Sequence, residues 1–234
     1  MTTTPTVPGQ PASSAAARPK PTIEHFTSMP VAALLQRAAI GVENFDSRVF
    51  ELSDEQLDQA FLPDAGVGRW PARVVLGHLA DAEMVFVHRM RRVVAEDSPV
   101  FQVWDEQAFI DGGAYGAGPL RPGMPMPNVG GFVAAVYTLR AWTCEWLSCL
   151  DERCWTRPGM HPERGPMTLR RVADYWAWHL ENHAWFLNAK VERFLGPVPE
   201  SQGCGAGCGC HGASAPGPEP RSDEGCGKPG CCKG

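Results

Sequence analysis

The sequence predicts an all-α protein, a four-helix bundle, and three observations predict it. Four long segments repeat apolar residues at spacings of three and four, the period of a helix with one buried face. No segment alternates apolar and polar residues convincingly enough to read as a strand. The joints between the long segments are marked by proline and glycine, which end helices and open loops. At 234 residues the chain is long enough for one ordinary domain with a substantial core plus some tail. No internal repeat appears at a solenoid period.

The first long helix is expected to begin near Thr27 or Ser28, either able to cap it, with Pro30 in its first turn. Leu34, Leu35, Ala38, Ala39, Val42 and Phe45 then follow the helical period. Ser53 with Glu55 and Gln56 suits the start of a short segment, Gln56 standing in the capping-box position. The second long helix starts after "GVGRWP" with Pro71 in its first turn. Its stripe is Val75, Leu79, Ala82, Phe86, Met90 and Val93, and it stops near Asp97, before Pro99. A short turn of helix is expected around residues 104–109; "GGAYGAGPLRPGMPMP" is too rich in glycine and proline for regular structure. Asn128 suits the N-cap of the third helix, where Phe132, Val136, Leu139, Thr143, Trp146 and Leu150 face one way. "TRPGMHPERGP" reads as a loop leading to Thr168, the cap of the fourth helix. That helix carries Leu169, Ala173, Trp176, Leu180, His183, Leu187, Val191 and Phe194 on one stripe and ends at Gly196 and Pro197.

The ends differ in composition. Residues 1–26 read as disordered: five prolines oppose an amphipathic helix, and no apolar core of a secretory signal is present. The bundle is assigned to residues 27–197 and a flexible cysteine-rich tail to residues 198–234, which have almost nothing to bury. A net charge of −5 and a pI near 5.8 give no electrostatic reason to expect nucleic acid or an anionic membrane as partner. No apolar run approaches the roughly 18 residues that span a bilayer. A cytoplasmic protein acting on a small molecule is the default, and bundles of this sort often pair through an apolar face as homodimers.

"HLENH", residues 179–183, carries the chemistry. Two histidines four apart on a helix share a face and can chelate one ion. A zinc-protease motif would place a glutamate directly after the first histidine. Here Glu181 comes one place later, about 200° around the helix from its metal-facing neighbours, and cannot orient a water on their ion. A third ligand must come from elsewhere, and His78, at the edge of the second helix's apolar stripe, could meet the pair. Three neutral imidazoles leave coordination positions open, as catalytic metals require. Zinc, nickel and iron(II) all suit them. The alternative is three hydrogen-bonded core histidines. His25, His88, His161 and His211 take a structural or surface reading.

"WPARVVLGHLADAE" with the following "RMRRVVAEDSPVFQVWDEQAF", and later "RPGMHPERGPMTLRRVADYWAWHLENHAWFLNAK", resemble the two signatures of the DinB/YfiT-like superfamily of bacterial four-helix metal proteins. The resemblance covers roughly residues 28–195. It implies a divalent metal held by the positions that match His78, His179 and His183. It also implies chemistry of the thiol-transfer type, in which a low-molecular-weight thiol bound to the metal is acidified and attacks an electrophile; many family members have no assigned reaction. The physical rationale stands independently, because a divalent cation lowers the pKa of a bound thiol or water.

Two side chains are candidates to support such a site. Asp81, three residues after His78, could share its face and hydrogen-bond a ligand or substrate; the alternative is a surface carboxylate paired with Arg73 or Arg89. Arg140 could bind a substrate carboxylate bidentately, or be an exposed face residue. The tail is a second signal. Cys204, Cys208, Cys210, His211, Cys226, Cys231 and Cys232 offer soft ligands on a flexible, glycine-rich chain, without zinc-ribbon spacing. Metal binding and a redox-sensitive tail are both open. The sequence therefore points to a metal-dependent transferase or hydrolase, with a metal-handling protein as the alternative.

Overall fold

The computed structural model describes residues 19–198 other than Ala117, Leu120 and Arg121. The expectations for residues 1–18 and for the cysteine-rich tail lie outside the described residues. Its elements in order are α1 (Ile23–Thr27), α2 (Val31–Ile40), α3 (Asp54–Leu57), α4 (Ala72–Ala95), α5 (Glu106–Gly112), α6 (Val129–Ser148), β1 (Pro158–His161), β2 (Gly165–Thr168) and α7 (Leu169–Leu195). Helices α2, α4, α6 and α7 are the four predicted long ones. Helix α4 packs against α6 and α7, and α2 packs against the same two. Two of the three consecutive pairs of long helices therefore sit diagonally, α2 across from α4 and α6 across from α7, whereas α4 and α6 are neighbours. No described helix is long and apolar enough to cross a membrane.

The caps explain most element boundaries. Ser53 and Gln56 form the predicted capping box at α3. Asn128 accepts from the Gly130 amide at 2.7 Å at the start of α6, and Thr168 accepts from the Arg171 amide at 3.2 Å at the start of α7. Pro71 immediately precedes α4, and Gly196, at φ +77°, ends α7.

Four expectations need correction. Thr27 and Ser28 do not start α2; they finish α1, their hydroxyls donating to the Glu24 and His25 carbonyls. Pro30 disfavours helix in the residue before it, so α2 begins only at Val31. Residues 19–26 are structured rather than disordered, because Phe26 is fully buried and α7 captures the backbone around it. Arg170 donates to the Phe26 and Met29 carbonyls at 3.1 and 2.6 Å, and the Trp178 indole donates to the Pro21 carbonyl at 3.0 Å. The predicted loop before α7 is an antiparallel hairpin pairing Pro158 with Thr168 and His161 with Gly165. Gly159 is required there, since a Cβ would strike the Phe101 ring. The buried line of α6 runs through Val136, Arg140, Thr143, Cys144 and Leu147, rotated from the predicted stripe so that Leu139 and Trp146 fall at its margin.

The rotation is caused by a buried ion pair. Two apolar clusters fill the bundle, one around Leu34, Met90, Leu147 and Trp176, the other around Val49, Leu76, Val136 and Leu187. Between them Arg140 donates through Nε to Glu83 Oε1 at 2.9 Å and through Nη2 to the same oxygen. Trp176 Nε1 donates to Glu83 Oε2 at 2.5 Å, and Arg140 also reaches the Ala38 and Trp176 carbonyls at 3.4 and 3.3 Å. Arg140 is therefore a core cation, and its guanidinium is committed to Glu83 and stacked 4.2 Å from the centre of the Trp176 ring. It is not placed to bind a substrate carboxylate. Gly41, at φ +49°, admits the side chain, for a Cβ there would lie 2.8 Å from Arg140 Cδ.

Removing one partner of a buried pair strands the other charge. Arg140→Met is expected to lower unfolding free energy by about 3–5 kcal/mol in urea titrations. Adding Glu83→Gln to that variant is expected to recover part of the loss. If Arg140→Met costs no more than a surface substitution, the pair does not organise the core.

Candidate metal centre

The two long helices that line the boundary between the apolar clusters each deliver imidazoles to it. Helix α4 carries His78, which is fully buried, and α7 carries His179 and His183 one turn apart. Nε2 of His78 and Nε2 of His179 are 3.2 Å apart. The His183 ring lies 4.8 Å from that of His78 and 4.6 Å from that of His179, centre to centre. One nitrogen from each ring falls within 4.8 Å of the others. The structure thus brings together the three histidines that the sequence singles out.

Aromatic rings enclose them. Trp70 lies parallel to His183 at 5.7 Å and edge-on to His78 at 4.9 Å. Trp104 stacks on His78 at 5.1 Å with an angle of 13°, and Phe86 packs on His179 at 5.5 Å. Asp105 holds Trp104 in place by capping α5, accepting from the Ala108 amide at 3.0 Å. Burial favours the uncharged imidazole. It pulls His78 down to about 4 and His183, with help from the positive charges of His78, Lys190 and Lys20, to about 3. His179 is pushed down more strongly, by burial first and then by its two neighbours. All three rings are neutral across the physiological range, with lone pairs available.

These residues fit a divalent metal. Nitrogens 3.2 Å apart suit two ligands about 2.1 Å from one ion, although an N–H···N hydrogen bond would give the same separation. A second observation bears on the metal reading: Nδ1 of His78 is buried without a hydrogen-bond partner, and Glu106 at the start of α5 stands 3.9 Å from it. Histidine ligands commonly point their other nitrogen at a carboxylate.

The centre opens onto a cleft of about 610 Å³, with His179 and His183 in its wall, within the range of small-molecule sites. Trp70, Phe86, Trp104 and Trp178 make its apolar surface; Glu106, Arg89 and Arg164 are among its charges. None of these was given a role in a site by the sequence, which reads Phe86 as part of an apolar stripe and Arg89 as an alternative partner of Asp81. Trp104 stands in one of the quoted signatures, but its function depends on a fold that brings residues 101–105 against α4.

Other candidates lie elsewhere. Asp81 accepts from the Tyr115 hydroxyl at 2.7 Å and contacts neither Arg73 nor Arg89. Burial raises its carboxyl pKa, opposed by that hydrogen bond. Arg73 is held instead by Asp54 and Asp58. His161 is in strand β1, buried in the cleft wall, rather than in a loop. His88 is exposed, and His25 contacts Arg37 at 2.8 Å. Glu181 turns away from the three imidazoles, as the helical geometry requires, and receives two 2.7 Å hydrogen bonds from Arg37.

A four-helix bundle with three convergent imidazoles at the head of a cleft defines a class of helical metal-site proteins. Residues 16–187 match the family model described as the DinB superfamily, and the chain belongs to that family. Relatives from Oceanobacillus iheyensis and Bacillus licheniformis, both named "Putative metal-dependent hydrolase", are 26% identical over 145 residues and 27% identical over 148. Those matches span 62% and 63% of this chain, and 76% and 77% of the relatives. Bacillus subtilis YfiT, which carries the same description, is 25% identical over 133 residues, 56% of this chain and 67% of its own. The solved structure of YfiT, described as having an unusual four-helix bundle topology, superposes with a TM-score of 0.56 at 20% identity. It covers 82% of this chain and 94% of that one.

Because Glu181 belongs to the Arg37 pair, Glu181→Gln is expected to leave metal content unchanged. It should cost up to about 1 kcal/mol of stability, the size of a partly exposed ion pair. Metal analysis beside thermal melts checks this, and loss of metal in that variant would return Glu181 to the site.

Proposed function

We propose that this chain is a metal-dependent enzyme in which His78, His179 and His183 hold a divalent ion that activates a water or a low-molecular-weight thiol. The single observation that carries the reading is the convergence of three neutral imidazoles at the wall of a cleft sized for a small molecule. The relatives' description as metal-dependent hydrolases supports the same class.

A bound divalent ion would supply Lewis acidity, lowering the pKa of a water or thiol at neutral pH. The chain's own residues do the rest. Trp70 and Trp104 hold the imidazole planes and keep bulk water from that end of the cleft. Glu106, 3.9 Å from His78 Nδ1, is the carboxylate that would orient this ring by closing to hydrogen-bond distance. No carboxylate on α7 shares the face of the imidazoles, so a nucleophile there relies on the ion for its acidity. Imidazole discriminates poorly among zinc, nickel and iron(II), and all three remain compatible. An open cleft favours catalysis over storage; the metal-handling alternative rests on the cysteine tail.

Elemental analysis of the full chain is expected to show one fewer metal equivalent in His179→Ala and in His183→Ala than in the parent. Equal metal content in all three would remove the three-histidine site. Turnover of a chromogenic ester with and without added thiol then separates hydrolysis from thiol transfer. A rate that requires the thiol selects transfer, and one indifferent to it selects hydrolysis.

A further inference from the structure

The cleft has two chemically different ends. Glu106 stands beside His78 at one end. At the other, α4 and the β1–β2 hairpin gather Arg89, Arg164 and His161. His78 and Arg89 are eleven residues apart on α4, which is three turns, so they share a face about 16 Å apart along the axis. Phe86 lies between them in the cleft wall.

The two arginines are unlike those packed into the bundle. Arg37 meets Glu181, Arg140 meets Glu83, and Arg170 meets Asp174. Arg89 and Arg164 make no ion pair among the described residues. Nε of Arg89 is buried with no hydrogen-bond partner, while its Nη2 donates to the Gln102 carbonyl at 2.9 Å. The Arg164 guanidinium lies over the Tyr175 ring, 5.1 Å from its centre. Burial and then the charge of Arg164 hold Arg89 below its ordinary pKa, with Glu163 opposing. His161 is lowered by burial and then by both arginines. Glu163 lines the same wall and offsets one of the two guanidinium charges, which leaves a net positive charge there for an anion.

We propose that the hairpin end of the cleft is a carboxylate-binding subsite. The substrate is then a small organic acid whose carboxylate is held by Arg89 and Arg164, whose apolar body lies along Phe86 and Trp178, and whose reacting bond faces the imidazoles. The unpartnered Nε–H of Arg89 and the exposed guanidinium of Arg164 are the donors offered to a carboxylate. Only the placement of the reacting bond rests on the metal-centre reading; the anion subsite does not.

Calorimetric titration of the full chain, stripped of metal with EDTA, with 4-phenylbutyrate and with its neutral amide tests the subsite. The acid is expected to bind about ten- to a hundredfold more tightly than the amide, as charge-assisted hydrogen bonds imply. Arg89→Gln and Arg164→Gln should each remove most of that preference. Equal binding of acid and amide, no saturable binding of the acid, or a preference that survives both substitutions overturns the proposal. Arg89 also holds the Gln102 carbonyl, so if Arg89→Gln fails to fold, Arg164→Gln, whose side chain is exposed, decides. Metal content is measured separately. A chain that carries no metal before EDTA treatment and still prefers the acid keeps the subsite and refutes only the metal centre.

Discussion

The Glu83–Arg140 pair is the contact at which all four long helices meet. Glu83 comes from α4 and Arg140 from α6; α7 contributes the Trp176 indole and α2 the Ala38 carbonyl. The pair therefore fixes the axial register of α4 against α7. Helix α4 begins and α7 ends in the same apolar cluster, so the two run antiparallel. His78 lies five residues, about 7.5 Å, from Glu83. His179 and His183 lie three and seven residues from Trp176, about 4.5 and 10.5 Å in the same direction. His78 thus falls between the two α7 imidazoles, and a slip of one turn would separate them.

The same pair shows where sequence reading stops. The helices, their caps and the three histidines were legible because each depends on spacings of three or four residues, or on a side chain bonding its own backbone. Arg140 was not, because its partner is 57 residues away, and nothing local distinguishes a buried arginine from an exposed one. The hairpin was hidden by its own composition. Two prolines and two glycines in four-residue strands read as a loop, and only Phe101 packed over Gly159 and the pairing to residues 99–101 make it a strand. The N-terminal strap was missed for a similar reason: its order comes from α7. At the site, the three histidines that converge were legible and the enclosure was not. Trp70, Trp104, Glu106, Arg89 and Arg164 come from four separated stretches that meet only in the folded chain.

The enclosure gives the cleft a gradient of chemistry. Indoles stacked on buried, neutral imidazoles make one end low in polarity, which strengthens electrostatic interactions placed there. The hairpin end carries unpaired cations near solvent. Between them the surface is aromatic. Under the proposed function, such a cleft would orient an asymmetric molecule before any bond changes, where much of an enzyme's rate advantage originates.

One contact gives the N-terminal strap a wider meaning. Trp178, in the cleft wall, is anchored by the carbonyl of Pro21, and Lys20 lies 4.4 Å from the centre of the Phe186 ring on the same helix. The bundle's four helices do not need this strap for their own hydrogen bonds, but the cleft's shape does. Trimming the chain to a tidy start at α2 would remove the buried Phe26 from the core and free a tryptophan in the cavity wall. A fragment chosen for its long helices would then differ from the native protein in the wall of the cleft.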